Sequence, residues 1–204
     1  EPLASLDLEK KNEILKYIIK IYENFNIPII YVSHSSTETF LLGHKINFIS
    51  NGKLVFQGKK SDAFNYFNRE YNENQTDNFL QGKITKIENE NNITTIKLQK
   101  FDLFVVSKNF NIGENVLIRI KSTDLVVCKS LPKSISALNY FKLRLKAIKV
   151  GNISVSLYFQ FNKTLLKASV TKASLNNLKL KVNNSYVVLI KAVNINEVMS
   201  FSLI

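Results

Sequence analysis

The chain reads as a two-part α+β protein: the tail of an α/β domain, then a duplicated pair of small β-barrels. Three observations predict this. A helix-spaced apolar pattern, an unbroken apolar run and a hairpin signal crowd the first part. From residue 80 onward the sequence turns into short strands at regular spacing, with no long helix. Those strands come in two similar sets, which marks a repeated module of roughly 60 residues.

The elements follow in order. Asp7 is placed to cap a helix, with Glu9 in its first turn. Ile14, Leu15, Ile18, Ile19 and Tyr22 then fall at helical spacing, so residues 8–24 read as an amphipathic helix. "IPIIYVS" (27–33) is apolar without alternation, the pattern of a strand buried on both faces. "KINFIS-NG-KLVFQG" (45–58) predicts a hairpin, because Asn51-Gly52 can take the positive φ angles of a tight turn. Ser61 is set to cap a short helix, "SDAFNYFN". These elements would make up a first domain over 1–68. The polar stretch 69–78 reads as a linker.

Beyond it, "GKITKIE", "ITTIKLQ", "LFVV" and "NVLIRIKSTDLVV" predict one barrel over 79–132. "KLRLKAIKV", "ISVSLYFQF", "LLKASVT" and "YVVLIKAVNI" predict a second over 133–204. "VLIRIKSTDL" (116–125) aligns with "VVLIKAVNI" (187–195), and "GKITKIE" with "LRLKAIK". Between the copies, "SISALNYF" reads as a short helix capped by Ser134.

Charge divides the chain as well. Residues 1–79 carry 9 Lys+Arg and 10 Asp+Glu; residues 80–204 carry 19 and 6. The positive excess points the second part toward an anionic partner. Cys128 is the one cysteine, which rules out an intrachain disulfide, argues against a Cys-based metal site and fits a reducing, cytoplasmic setting. No apolar run approaches the roughly 18 residues that span a bilayer, and the first residues do not read as a signal peptide.

Three stretches of the first part belong together: "EPLASLD", "YVSHS" and "ETFLLGHKINFISNGKLVFQG". In this order and spacing they resemble the ATP-binding subunits of ABC transporters over residues 1–67. The resemblance implies that Glu1 polarises the water attacking ATP and that His34 reaches the γ-phosphate, with Mg²⁺ as cofactor. Asp7 would belong to the loop at the interface of an ATPase homodimer. The sequence departs from the family in carrying no G-x-x-x-x-G-K-S/T and no LSGGQ. Backbone N–H groups of the missing phosphate loop supply most of the grip on ATP. The expectation is therefore that "EPLASLD" is the cut edge of a longer ATPase, and that this chain alone neither binds nor hydrolyses ATP.

The second part narrows the type. "SISALNYFKLRLKAI", "LLKASVTKASLNNLKL" and "VVLIKAVNI" resemble the molybdate-binding Mop domain, a TOBE-type, OB-like module. The resemblance implies oxyanion ligands at Ser136, Asn139, Thr171, Ser174 and Lys191, of the last stretch Ile190-Lys191-Ala192. Hydroxyls, backbone N–H groups and one Lys suit a tetrahedral dianion without a metal. Leu138 stands where many members have Arg, which removes a fixed charge.

Together these imply the energy-coupling subunit of a molybdate or tungstate ABC importer, with an oxyanion-sensing C-terminal region. Its partners would be a membrane permease, a second ATPase subunit and, indirectly, a periplasmic molybdate-binding protein. It would sit peripherally on the cytoplasmic side of the plasma membrane. Two alternatives stand beside this. One is an importer subunit for sulfate, sugar or polyamine. The other is a stand-alone basic module for an oxyanion or, the weaker case, single-stranded nucleic acid, with Tyr140, Phe141, Tyr158, Phe159 and Phe161 as candidate stacking groups.

Overall fold

The computed structural model describes residues 3, 5–25, 27–69, 77–106, 110–195 and 197–200. It divides into two compact units, 1–66 and 67–204.

The first unit opens with helix α1, Leu8–Phe25. Asp7 caps it as expected: the Lys10 N–H donates to Asp7 Oδ1 at 2.9 Å. Leu15, from the predicted apolar face, is fully buried. Helix α2, Ser36–Leu42, is capped by Ser35 and places Phe40 at the centre of an aromatic cluster. Strands β1, Lys45–Ser50, and β2, Lys53–Lys59, form the predicted hairpin. Asn51 and Gly52 both take positive φ, 49° and 72°, which matches the right-handed twist of the strands they join. Helix α3 runs Lys60–Arg69, so it begins one residue before Ser61, whose side chain lies outside what the structure describes. Phe40, Phe48, Phe56, Phe64 and Tyr66 pack edge-on or stacked around the hairpin, with centroids 4.8 to 6.4 Å apart.

Residues 27–33 depart from expectation. They join no strand ladder, and Ile30 is 94% exposed. A strand buried on both faces needs neighbours on both edges and helices above and below. The only described sheet in this unit is the two-stranded β1–β2, which pairs with itself.

The second unit is all but entirely β. Its strands are β3 Asp77–Glu88, β4 Ile93–Leu98, β5 Phe101–Val106, β6 Asn115–Lys121, β7 Val126–Cys128, β8 Asn139–Val150, β9 Val155–Phe161, β10 Thr164–Val170, β11 Ser185–Ile190 and β12 Glu197–Ser200. Helix α4, Lys172–Leu178, follows β10; nothing in the sequence reading assigned it. No helix forms over 134–141, where the chain instead bends and then enters β8.

The predicted duplication is visible bond by bond. β3 bulges between Ile84 and Lys86, and β8 bulges between Leu145 and Ala147. At the bulge the Ile84 N–H donates to Glu114 O and Ile84 O accepts from Gly113; Leu145 does the same with Asn184 and Asn183. Each bulge bends its long strand so that one half pairs with one neighbour and the other half with another, which curls the sheet.

The sheets do not respect a division at 132/133. One runs β12-β6-β3-β4-β5, the other β10-β9-β8-β11-β7. Each therefore takes its final strand from the other copy. Short 3-10 turns at Ser122–Asp124 and Ala192–Asn194 redirect the chain across. The exchange covers the exposed edges of β6 and β11. It also lets both copies close over one apolar core, from Leu80, Ile84 and Ile118 to Leu145, Phe159 and Val188. Phe101 of the first copy stacks on Phe161 of the second at 4.9 Å and meets Phe141 edge-on. Each such ring contributes about 1.5–3 kcal/mol by leaving water.

Candidate functional site

Glu1 lies outside the described residues. Asp7 serves as a helix cap and makes an exposed ion pair with Lys10 at 3.4 Å. His34 is exposed on the turn between 27–33 and α2.

That turn is held by a clasp the sequence reading missed. Glu38 is buried in the first turn of α2. Its carboxylate accepts from Ser33 at 2.6 Å and Tyr31 at 3.0 Å, and pairs with Lys11 of α1 at 2.9 Å. The Ser35 N–H donates to Ser33 Oγ at 3.0 Å, so the residues on either side of His34 are tied together. Burial pushes the Glu38 carboxyl up, but the hydrogen bonds from Ser33, Lys11 and Tyr31 outweigh it and leave the group below its usual value. Burial and the Glu38 bond push the Tyr31 phenol up. The available signal was the two hydroxyl residues, Tyr31 and Ser33, in an otherwise apolar run: they are partly buried while Ile30 and Val32 stay exposed.

The five expected oxyanion residues are not gathered in one place. Asn139 begins β8 and pairs with Ile190, so Lys191 and Leu138 leave the ladder at that end. Ser136 is exposed on the bend just before. Thr171 follows Val170, which pairs with Val155 beside the far end of β8. Thr171 Oγ1 accepts from the Ser174 N–H at 3.0 Å and lies 2.9 Å from Ser174 Oγ, the geometry of a helix N-cap.

Asn139 is occupied. Its carboxamide accepts from the Phe104 N–H at 2.7 Å and donates to Phe104 O at 2.8 Å. Asn78, its counterpart in the first copy, accepts from the Lys167 N–H at 2.6 Å and donates to Lys167 O and Ile120 O. Each buried amide thus fastens the start of its own long strand to the other copy.

Close to Thr171 in sequence, β10 meets the first copy. Ser169 precedes Thr171 by two residues on β10, and its hydroxyl lies 2.8 Å from that of Ser122, in the turn that begins after Lys121. Lys121-Ser122 corresponds to Lys191-Ala192 in the repeat. The alignment of "IKS" with "IKA" was the signal for Lys121 and Ser122. The repeat therefore relates two stretches, one at Lys121-Ser122, where Ser169 lies beside Ser122, and a second at Lys191-Ala192. The counterpart of Thr171 at the second falls in 107–109, outside the described residues. Among the described residues no three His, Cys, Asp or Glu lie close enough to hold a metal. No described helix is long and apolar enough to cross a membrane.

Phe141, Tyr158, Phe159 and Phe161 are buried, which leaves Tyr140 alone of the candidate stacking groups on the surface.

The fold and its paired positions define a duplicated OB-like β-module carried behind an α/β segment. The chain is similar along 95% of its length to the molybdenum import ATP-binding protein ModC of Rhizobium etli, at 29% identity over 194 residues. The proteins of the same name from Brucella abortus and Mannheimia succiniciproducens are 26% and 28% identical over 197 residues, 96% of this chain. The resemblance to ATP-binding subunits of molybdate importers thus extends over nearly the whole sequence. The chain spans about half the length of these relatives, 54–56%. No family model matches it. Among solved structures, the cytoplasmic molybdate-binding protein ModG, crystallised with molybdate bound, superimposes with a TM-score of 0.56. That match covers 61% of this chain and 96% of ModG at 20% identity, and it establishes the fold.

Proposed function

We propose that this chain forms the C-terminal part of the energy-coupling subunit of a molybdate or tungstate ABC importer, and that its duplicated β-module senses the imported oxyanion. The observation that carries this reading is the similarity to molybdenum import ATP-binding proteins across both units. In this reading His34 faces the γ-phosphate of ATP held with Mg²⁺ by the rest of the ATPase, and Glu1 serves the attacking water. The Glu38 clasp is the positioning device: it fixes the backbone on both sides of His34. The partners are a permease and a second ATPase subunit, at the cytoplasmic face of the membrane.

For sensing, Lys121, Ser122, Ser169, Thr171 and Ser174 supply hydroxyls, an N–H and a cation suited to a tetrahedral dianion. Ser136 and Lys191 form the related second position. Asn139 supports that position through the Phe104 backbone and does not itself contact the anion. The test is calorimetric titration of the chain with molybdate and tungstate, with sulfate as comparison. Saturable heat with molybdate, lowered by Thr171→Ala and by Lys121→Ala, is expected. No heat up to about 1 mM anion, a free energy near −4 kcal/mol, would leave the module a scaffold.

A further inference from the structure

The repeat allows the surroundings of Lys121 and Lys191 to be compared residue by residue. Asn78 pairs with Ile120 in the first copy, and Asn139 with Ile190 in the second. One step toward the lysine, Asp77 stands directly opposite Lys121, and Leu138 holds the corresponding place before Lys191. One step the other way, Phe79 stands opposite Arg119, and Tyr140 opposite Leu189. Residues two apart on a strand share a face. Asp77, Arg119 and Lys121 therefore lie together on one face of the first copy, and their counterparts are Leu138, Leu189 and Lys191.

The first copy thus holds two cations where the second holds one, and it adds a carboxylate between them. Arg119 Nη2 donates to Asp77 Oδ2 at 2.9 Å, with both side chains partly buried. Residues opposite in a ladder have Cβ atoms about 5 Å apart, so the same carboxylate is within reach of the Lys121 side chain. A guanidinium is the side chain best shaped for an oxyanion, because its forked N–H groups meet two oxygens at once. Here that fork is engaged by the protein's own carboxylate. The second copy builds the equivalent ladder with Leu189 in place of Arg119 and Leu138 in place of Asp77, so the fold does not require the ion pair.

We propose that Asp77 is a built-in competitor for the oxyanion at the Lys121 position; this rests on the reading that the module senses an oxyanion. The two Asp77 oxygens stand in for two oxygens of a tetrahedral dianion. While Asp77 holds Arg119, Lys121 alone is left for the anion. An oxyanion that displaces the carboxylate gains both cations. Asp77 therefore sets the concentration at which this position fills, and Arg119 is the latent ligand.

The experiment is calorimetric titration of the full chain with molybdate, native and with Asp77→Asn. The variant should bind roughly tenfold more tightly, from the release of one charge-assisted donor. Asp77→Leu, which copies the second repeat, should give a similar gain, and Asp77→Glu, which restores the charge, should lose it. Adding Arg119→Leu to Asp77→Asn should abolish the gain. Glu90→Gln makes the same change of net charge on the exposed β3–β4 turn and should leave the affinity unchanged. Circular dichroism should stay native throughout, since the second copy folds without either charge. Molybdate binding that Asp77→Asn and Asp77→Leu leave unchanged or weaken overturns the proposal while the sensing reading stands. A gain that survives Arg119→Leu, or that Glu90→Gln reproduces, overturns it too, by assigning the effect to net charge. Heat from the Asp77 variants alone supports it, with the native position held closed by Asp77. No heat from the native chain or any variant overturns the sensing reading, and this proposal with it.

Discussion

Replacing Asn78 by Ala should loosen the join between the two copies. The side chain is 1% exposed and makes three hydrogen bonds, to Lys167 N, Lys167 O and Ile120 O, at 2.6, 2.9 and 3.1 Å. Truncation strands a buried N–H and a buried carbonyl of β10 that cannot reach water without opening the interface. Each lost bond costs about 1 kcal/mol net, and each stranded group adds to that, so the expected loss is about 3–4 kcal/mol. Asn139→Ala removes two bonds, both to Phe104, and should cost about 2–3 kcal/mol. The two amides share no partner, so their effects should add within about 0.5 kcal/mol. Urea unfolding followed by circular dichroism measures this, with the midpoint falling at constant slope. By thermal melting the Asn78 variant should drop by about 10 °C. Asn78→Asp, which retains the acceptor and loses both donations, should be similarly weakened. A cost below about 1 kcal/mol for Asn78→Ala would refute the view that these amides fasten the copies together.

Other expectations follow from single positions. Gly82→Ala should destabilise by about 1–3 kcal/mol, read by denaturant unfolding, because a Cβ there would lie 2.4 Å from Ile96 Cγ2 and 2.9 Å from Lys97 O. Glu38 has a lowered folded pKa, so its contribution is present above the unfolded carboxyl value near ~4.3 and is lost as pH falls through the folded one. Melting curves between neutral and acid pH should show this loss, and Glu38→Gln should flatten it while lowering stability at pH 7. Calorimetry with Mg-ATP should show no saturable binding to this chain alone; a measurable heat would overturn the expectation drawn from its lack of a G-x-x-x-x-G-K-S/T loop.

Much of the local structure was legible because its causes are local. Asn51-Gly52 takes positive φ whatever surrounds it, so the hairpin could be read from two residues. Asp7 and the spacing of Ile14, Leu15 and Ile18 fix α1 in the same way. The repeat was legible because two copies under one packing rule retain one pattern, and the matched bulges show how closely. Of the candidate site, the residue types were readable but not their company. Thr171 and Ser174 read as anion ligands and turn out also to cap α4. Asn139 read as a ligand, while its amide is engaged by Phe104, 35 residues away in sequence.

By itself, then, the sequence determined where α1 and the β1–β2 hairpin lie, that the β-module is doubled, and which end carries the charge. These depend on torsional preference, periodicity and composition. Tertiary structure alone decided that β7 and β12 change sheets, that Ser122 meets Ser169, and that 27–33 stays unpaired. The reason is that a strand's period fixes which face is apolar, whereas the edge it joins is chosen by whatever core it helps to close. Leu125 and Val127 could have been buried in either sheet; the shared core, filled from both copies, selected the far one.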